Sequence, residues 1–349
     1  MASLTHTSII ARKIIRFIIY GIVFIIVARF TILTGIRIYR IFFPEPPPAP
    51  TVAFGKLTNL PFPENLAKTE NLVFTLETAD GKLPEFTDQT RVYFMPKASP
   101  NIQGLEFAKQ KAVSLGFSPG GRELVETVFL FQNRSSPSTL TMNIVTGIFS
   151  ISYDLRANLQ ALNEIPPAAD TATSLVRSFL ARAQLLVDDL SGPVEHEFIK
   201  IEEGRFVTAL SQSDGKITKI NLFRKSFDDL PSVTLNPDEA NVWFMISGSR
   251  NRADQFIAAE YHYYPIDEEQ SSTYPIKTSE KAWKELTGGK GYVVSHADES
   301  RIDVTIRNVY LAYLDAGQYT EFFQPVVVFE GDNDFVAYVP AVTSEFYGE

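Results

Sequence analysis

The sequence predicts an α+β fold in which one N-terminal transmembrane helix is followed by antiparallel sheets, each packed by a helix. Residues 17–36 form an apolar run with Arg29 as its single charge, a composition typical of a membrane-spanning helix. From Thr51 onward, two-residue alternation rich in Val, Ile, Phe and Thr is typical of strands. Three helical stripes, beginning near residues 102, 172 and 279, each precede such strands. A helix-then-meander order is therefore expected three times.

The apolar run has the length of a bilayer crossing. A helix of this length spans about 30 Å, the thickness of the hydrocarbon core. A cleavable signal peptide is the alternative, because Arg12, Lys13 and Arg16 precede the run. After Ala28, however, bulky apolar and basic residues occupy the positions where small residues precede a cleavage site. The sequence therefore predicts an uncleaved single-pass anchor in the cell membrane.

Basic residues on the two sides of the run predict its orientation. Arg12, Lys13 and Arg16 lie before the run, and Arg37 and Arg40 lie after it. Cytoplasmic flanks carry the excess of Lys and Arg. The small excess before the run therefore places the N-terminus inside and the C-terminal domain outside the cytoplasm.

Arg29 is the candidate partner contact of the anchor. On insertion scales, a charge at the bilayer centre costs about 2.5 to 3.5 kcal/mol. The arginine avoids this cost either by snorkelling to the interface or by pairing with an acidic residue in the transmembrane helix of a partner. Both interpretations stay open from the sequence.

Composition divides the chain into an anchor, a stalk and a folded body. Residues 44–50, PEPPPAP, cannot continue a helix and predict a stalk in the polyproline II conformation. The whole chain is 45% hydrophobic and 21% charged, which is typical of folded domains. The expected domains are 1–43 (cytoplasmic tail and anchor), 44–50 (stalk), 51–165 (first α+β module), 166–273 (second α+β module) and 274–349 (C-terminal α+β module).

Charge and cysteine content narrow the classes of function. The formal net charge is -9, whereas proteins that bind nucleic acid present a basic face. No nucleic-acid partner is therefore expected. The chain contains no cysteine, which excludes disulfides and thiolate metal sites.

The second predicted helix and the hairpin after it have clear local signals. Asp170 or Thr171 is predicted to cap the helix, whose apolar face extends to Leu190. Asp214-Gly215 then predicts a hairpin turn between two strand-like segments, residues 205–210 and 217–223.

The first and third predicted helices end at glycines. The first covers residues 102–116 and ends at Gly116. The third covers residues 279–287, with Thr278 as its cap and Gly288-Gly289 as its stop. Trp283 lies on the apolar stripe of this third helix, so it is predicted to pack on a sheet.

The C-terminal residues resemble a known family. The runs YPIKTSEKAWKELTGGKGYV and VYLAYLDAGQYTEFFQPVVVFEGDNDFVAYVPAV are similar to the final module of the YycI/YycH group of membrane-anchored regulators. In that group a helix entered through a Tyr-Pro segment precedes a curved antiparallel sheet related to PepSY-type modules. Its members attach to the membrane by one helix and hold a cell-wall sensor histidine kinase in check. The resemblance implies a sensor kinase as membrane partner and no catalytic residues.

No pattern in the sequence predicts a catalytic residue, a metal site or a cofactor. His196 lies between two glutamates and is predicted in a solvated loop, and His262 is predicted on a sheet surface. The acidic groups at 228–229, 267–269 and 332–334 lack the EF-hand spacing and are predicted as solvated turns. The chain is therefore not predicted to be an enzyme, and no small-molecule ligand is identifiable.

Tyr261 and Tyr263 are the candidate partner contacts of the body, because aromatic residues dominate interface hot spots. Burial in the core of a sheet is the interpretation that the sequence favours for both. The predicted function is that of a membrane-anchored, extracytoplasmic regulatory or binding module. A passive cell-envelope structural or assembly protein and an unrecognised enzyme are the other two hypotheses.

Overall fold

The computed structural model describes residues 4–42, 48–64, 67–296 and 302–348. The chain divides into two compact units, Met1–Ala49 and Pro50–Glu349. Most of the predicted proline stalk lies outside the described residues, which include only its last three positions, 48–50.

The described residues of the first unit form a long helix, α1 (Leu4–Phe42). Its segment Arg16–Tyr39, 24 residues, is long and apolar enough to cross a membrane, and its most apolar part is unburied. The predicted apolar N-terminal helix is thus confirmed. A helix with these properties near the N-terminus suits either a single-pass anchor or a signal sequence.

The largest sheet of the second unit has nine strands among the described residues and is antiparallel throughout. In spatial order its strands are β4 (Arg122–Val125), β5 (Val128–Gln132), β6 (Ser138–Asn143), β7 (Phe149–Tyr153), β13 (Phe256–Tyr261), β12 (Val242–Ser247), β10 (Ile217–Leu222), β8 (Val194–Glu202) and β9 (Arg205–Thr208). Alternating buried residues on β5, β6 and β7 give it one apolar face.

Two smaller sheets complete the described part of the body. The first, with seven strands, consists of β1 (Ala67–Lys68), β15 (Tyr292–Ser295), β19 (Phe335–Pro340), β18 (Pro325–Gly331), β16 (Asp303–Asp315) and β11 (Ser232–Thr234), with β2 (Val73–Leu76) also paired to β16. The second consists of β14 (Asp267–Pro275), β3 (Gln89–Phe94) and β17 (Phe322–Phe323). Strands β2 and β11 run parallel to β16, so the seven-stranded sheet is not purely antiparallel.

The helices α2 (Gly104–Ser114) and α3 (Ala169–Arg182) share one core on the nine-stranded sheet. The helix α4 (Ser279–Glu285) packs instead into the core of the seven-stranded sheet. The α+β class is therefore confirmed, but the arrangement of one helix for each sheet is not observed.

The three expected modules do not correspond to three sheets. In the nine-stranded sheet β7, from the expected module 51–165, pairs with β13, from 166–273. The seven-stranded sheet combines strands from all three expected modules. Local alternation fixes which face of a strand is buried, but it does not fix which distant strand becomes the neighbour.

The hairpin predicted at Asp214-Gly215 is wrong. Strand β9 pairs with β8, and β10 lies between β8 and β12. The turn between β8 and β9 is Glu203-Gly204, with φ of 50° and 78°, the conformation of a two-residue hairpin. The β8 strand also carries His196, which is exposed on a strand and not in the predicted loop.

The helix α3 differs from its prediction at both ends. Its N-cap is Ala168, which has no capping side chain, so neither Asp170 nor Thr171 is the cap. The helix ends at Arg182, well before Leu190. The chain leaves the helix because Gln184 adopts a φ of 55°, which ends the helical hydrogen-bond ladder.

The helix α4 agrees with its predicted cap. The Thr278 side chain accepts a hydrogen bond from the Lys281 N–H at 3.3 Å, as a capping residue does. Trp283 is half-buried, with its ring 6.2 Å from that of Phe74 and 6.1 Å from that of Phe329. The tryptophan therefore packs at the margin of the core of the seven-stranded sheet.

Candidate functional site

A groove of about 770 Å³ lies over the nine-stranded sheet. It is lined by the last turn of α2, the second half of α3, and the turns that precede β6 and β13. We call it the helix groove; the lining residues that matter below are Phe117, Ile151, Phe179, Arg182, Arg252 and Phe256. Ligand sites in proteins enclose roughly 300 to 1,000 Å³, so the groove has the size of a site for a small organic molecule.

The two helices that flank the groove both end in the same hydrogen-bonded motif. At the end of α2, Gly116 has a φ of 92° and the Phe117 N–H donates to the Ala112 carbonyl at 2.8 Å. At the end of α3, the Leu185 N–H donates to the Leu180 carbonyl at 2.9 Å. This Schellman arrangement satisfies the last helical carbonyls and turns Phe117 back into the groove lining.

The lining of the helix groove is largely apolar at its base. Phe117, Ile151 and Phe179 are buried there. The ring of Phe256 lies 4.1 Å from the ring of Phe179, measured between centroids. Because these rings belong to the packed core of the nine-stranded sheet, the base is rigid. The apolar surface that the groove offers to a ligand comes from the partly exposed Phe256 and Leu175 and from the exposed Val113.

Two arginines give the groove its charge. Arg182 ends α3, with its guanidinium carbon 5.8 Å from the Phe179 ring centroid, and Arg252 lies in the turn before β13. Both side chains are exposed, and neither forms an ion pair within the described parts of the chain. The lining that the structure describes contains no Asp or Glu. The helix groove is thus locally cationic in a chain with a net charge of -9.

The turn that carries Arg252 is held in place by Asp254. This carboxylate is buried; its Oδ1 accepts from the Tyr153 hydroxyl at 3.0 Å, and its Oδ2 accepts from Asn251 Nδ2 at 2.8 Å. Burial raises the pKa of Tyr153 to about 12, so the hydroxyl remains a donor at neutral pH. The Asn251 side chain also accepts from the Ala253 N–H at 3.2 Å, which caps the turn.

A second arginine environment lies where the nine-stranded and seven-stranded sheets meet. Arg224 is buried and donates to Asp189 Oδ2 at 2.6 Å, to Asp315 Oδ2 at 2.8 Å and to the Tyr264 carbonyl at 2.6 Å. Its guanidinium carbon lies 4.6 Å from the centroid of the Tyr263 ring. We call these residues the Arg224 cluster. Since Asp315 ends β16 and Arg224 follows β10, the cluster links the two sheets.

The Arg224 cluster is closely packed. A Cβ atom built on Gly192 would lie 2.0 Å from the Arg224 carbonyl oxygen, so only glycine fits there. Burial raises the pKa of the Asp189 carboxyl, whose Oδ1 has no hydrogen-bond partner among the described residues, while the Arg224 guanidinium opposes that rise. The cluster has no room for a ligand and is best explained as structural.

The structure corrects the candidate contact at Tyr261. This residue is 3% exposed, and its ring stacks on that of Phe149 with centroids 5.0 Å apart. Its hydroxyl donates to the Leu185 carbonyl at 2.8 Å. Tyr263 is half-buried and donates to Asp189 Oδ2 at 3.2 Å. The alternating strand turns Tyr261 into the core, so it offers no surface to a partner.

Arg29, the candidate contact of the anchor, is exposed on α1 beside Ile25 and Leu33. It forms no ion pair within the residues that the structure describes. Its environment in a membrane therefore remains a prediction.

A depression of about 580 Å³ near Asp228 is a weaker candidate than the helix groove. The Asp228 carboxylate already accepts from Arg91 Nη1 and from the Tyr93 hydroxyl, each at 2.6 Å. Asp228 and Asp229 have φ of 49° and 63° and are both exposed, so they form the predicted exposed turn, in which Asp228 is paired with Arg91. Among the described residues, no group of three or more His, Asp or Glu side chains is placed to hold a metal ion.

The sequence carries no pattern that identifies the helix groove. Arg182 and Arg252 are far apart in the chain, and no motif spacing links them. The available local signal was the basic residue at the end of the α3 stripe, which is also what an ordinary helix C-terminus shows. The packing of α3 on β13, through the rings of Phe179 and Phe256, brings the two arginines to one groove.

Comparisons with known proteins add little about function. No protein-family model matches the sequence, and no curated protein matches it. Among solved structures, the chain is similar to an uncharacterized protein from Eubacterium rectale, at 12% identity and a TM-score of 0.40, over 75% of this chain and 86% of that one.

Proposed function

We propose that this protein is a membrane-anchored, extracytoplasmic regulatory or binding module without catalytic activity. The observation that carries the proposal is the unburied apolar segment Arg16–Tyr39 ahead of a separate compact unit that contains a groove of ligand size. An anchor of this kind keeps a binding domain at the membrane surface, where it meets membrane partners at high effective concentration.

A membrane sensor kinase is the partner that we propose for the anchor. Support comes from the resemblance of residues 274–342 to the final module of the YycI/YycH group. Support also comes from Arg29, because a charged residue in a membrane helix is expected to find a partner or to snorkel. An acidic residue in the transmembrane helix of the partner would pair with it.

Protease digestion tests the orientation. Protease added to intact spheroplasts is expected to digest the body while the extreme N-terminus stays protected, and permeabilised spheroplasts serve as the control. Protection of the body in intact spheroplasts would reverse the proposed orientation.

Purification in a mild detergent tests the partnership. We expect a histidine kinase to copurify with the full chain, and we expect Arg29→Leu to reduce its recovery while Arg29→Lys, which keeps the charge, retains it. Equal recovery with all three chains would remove Arg29 from the contact. If no discrete membrane partner is recovered, a passive cell-envelope structural protein becomes the better interpretation.

A further inference from the structure

The helix groove combines two features that an ordinary depression on a protein surface does not combine. Its apolar lining consists of the partly exposed Phe256 and Leu175, which lie over the buried Phe117 and Phe179 of the sheet core. Its described lining contains two arginines and no acidic residue. The chain as a whole carries 41 acidic and 32 basic residues, so the charge of the groove opposes that of the protein.

The two arginines are available for binding. Neither is in an ion pair among the described residues, and Asp254, the acidic residue nearest to Arg252 along the chain, already accepts hydrogen bonds from Tyr153 and Asn251. The last carbonyls of α3 are satisfied by the Schellman motif. The guanidinium groups of Arg182 and Arg252 therefore exchange only water for an incoming anion.

We propose that the helix groove binds an amphipathic organic acid, in which one anionic group is attached to an aromatic or aliphatic body. The apolar body lies on Phe256 and Leu175, and the anionic group meets Arg182 and Arg252. This proposal rests on the proposed function and names the class of ligand for its groove. A bare anion would leave the apolar lining of the groove in contact with water. A neutral apolar molecule would form no ion pair with the arginines, and a cation would be repelled by them.

Calorimetric titration of the full chain in nanodiscs of a zwitterionic lipid tests the proposal. The probes are 2-naphthylacetate, the neutral 2-naphthylacetamide with the same aromatic body, and inorganic phosphate. We expect the acid to bind about tenfold more tightly than the amide, and phosphate to bind more weakly than the acid. The affinity for the acid should fall as salt is added. Empty nanodiscs measure partition of the probes into lipid.

Substitutions assign the binding to the groove. Arg182→Gln and Arg252→Gln should each weaken binding of 2-naphthylacetate about threefold to tenfold, and the double variant about tenfold or more. Arg205→Gln is the matched control, because Arg205 is exposed on the edge strand β9, outside the groove, and its affinity should equal that of wild type. Circular dichroism checks that each variant is folded.

Several results would overturn the proposal. The proposal is wrong if the acid does not bind, or if the acid and the amide bind with equal affinity. It is also wrong if phosphate binds as tightly as the acid, or if the folded double variant binds the acid with wild-type affinity. If the titration gives such a result while the body lies outside the cytoplasm and the kinase copurifies, the proposed class of ligand is wrong and the proposed function stands. A reversed orientation or a missing partner refutes the proposed function and leaves the titration unaffected.

Discussion

Arg224 and Arg182 stand at the ends of neighbouring elements in the same body, yet their surroundings differ completely. Arg224 is 3% exposed, and its guanidinium group donates to two carboxylates and a carbonyl. Arg182 is exposed at the rim of the helix groove, with its guanidinium carbon 5.8 Å from the Phe179 ring centroid and no ion pair in the described residues. The guanidinium group of Arg224 is hydrogen-bonded within the fold, whereas the guanidinium group of Arg182 is exposed to solvent.

This difference separates a structural site from a binding site. A buried charge must be paired, since removing it from water costs several kcal/mol that only close partners offset. An exposed charge needs no partner for folding and contributes little to stability. The Arg224 cluster therefore serves to join two sheets, whereas Arg182 and Arg252 remain free to bind a ligand.

Removing the buried arginine should have the largest effect. Arg224→Leu leaves Asp189 and Asp315 buried without their partner, and we expect the free energy of unfolding to fall by about 3 to 5 kcal/mol. Denaturant unfolding followed by tryptophan fluorescence measures the change. Arg182→Leu, the same substitution at the rim, should cost less than about 1 kcal/mol. Similar losses in the two variants would contradict the distinction between the two environments.

The sequence predicted the elements of the fold better than their assembly. The cap at Thr278 and the apolar N-terminal helix follow from local signals that a few neighbouring residues supply. The pairing of β7 with β13 depends on residues more than a hundred positions apart, for example Phe149 with Tyr261, and no local pattern encodes it. The groove depends on this pairing, so the sequence could not reveal it.

Local signals also failed where a competing turn was available. Asp214-Gly215 has the composition of a hairpin turn, but Glu203-Gly204 adopts the required positive φ angles. For Tyr261 and Tyr263 the sequence favours the core of a sheet over an exposed contact, and the packing of Tyr261 on Phe149 places Tyr261 in the core. Composition thus identified the candidates, and tertiary contacts selected among them.

Trp283 stabilises the body by packing alone, and its contribution to the free energy of unfolding can be compared with that of the charged Arg224 cluster. It packs between Phe74 and Phe329 at the margin of the core and is half-buried. Full truncation of a buried aromatic residue costs about 3 to 5 kcal/mol, so Trp283→Ala should cost about 2 to 3 kcal/mol, measured by denaturant unfolding with circular dichroism. A change within about 0.5 kcal/mol of wild type would indicate that the side chain is not packed on the sheet.

His262 should give the smallest effect and the only one here that depends on pH. Its hydrogen bond to Glu260, at 3.0 Å, raises the pKa of the imidazole above its usual 6.5, although burial opposes the rise. The stabilisation is therefore complete below about pH 6.5 and disappears as the pH rises through the folded-state pKa.

Comparison of His262→Gln with wild type tests this pH dependence. Because the pair is partly exposed to solvent, the variant should lose less than about 1 kcal/mol at low pH and nothing at high pH. Denaturant unfolding at several pH values measures both. A loss that grows with rising pH would contradict the sign.

One measurement tests the distinction between the paired and the free arginines most directly. It compares denaturant unfolding of wild type with that of the Arg182→Gln, Arg252→Gln double variant, each with and without 2-naphthylacetate. Without ligand, the two proteins should differ by less than about 1 kcal/mol, because the rim arginines do not hold the fold. At a ligand concentration one hundred times the wild-type Kd, wild type should gain about 2.7 kcal/mol, and the variant should gain less by about 1 kcal/mol or more. Equal gains in both proteins, or a large loss of stability in the unliganded variant, would contradict the account.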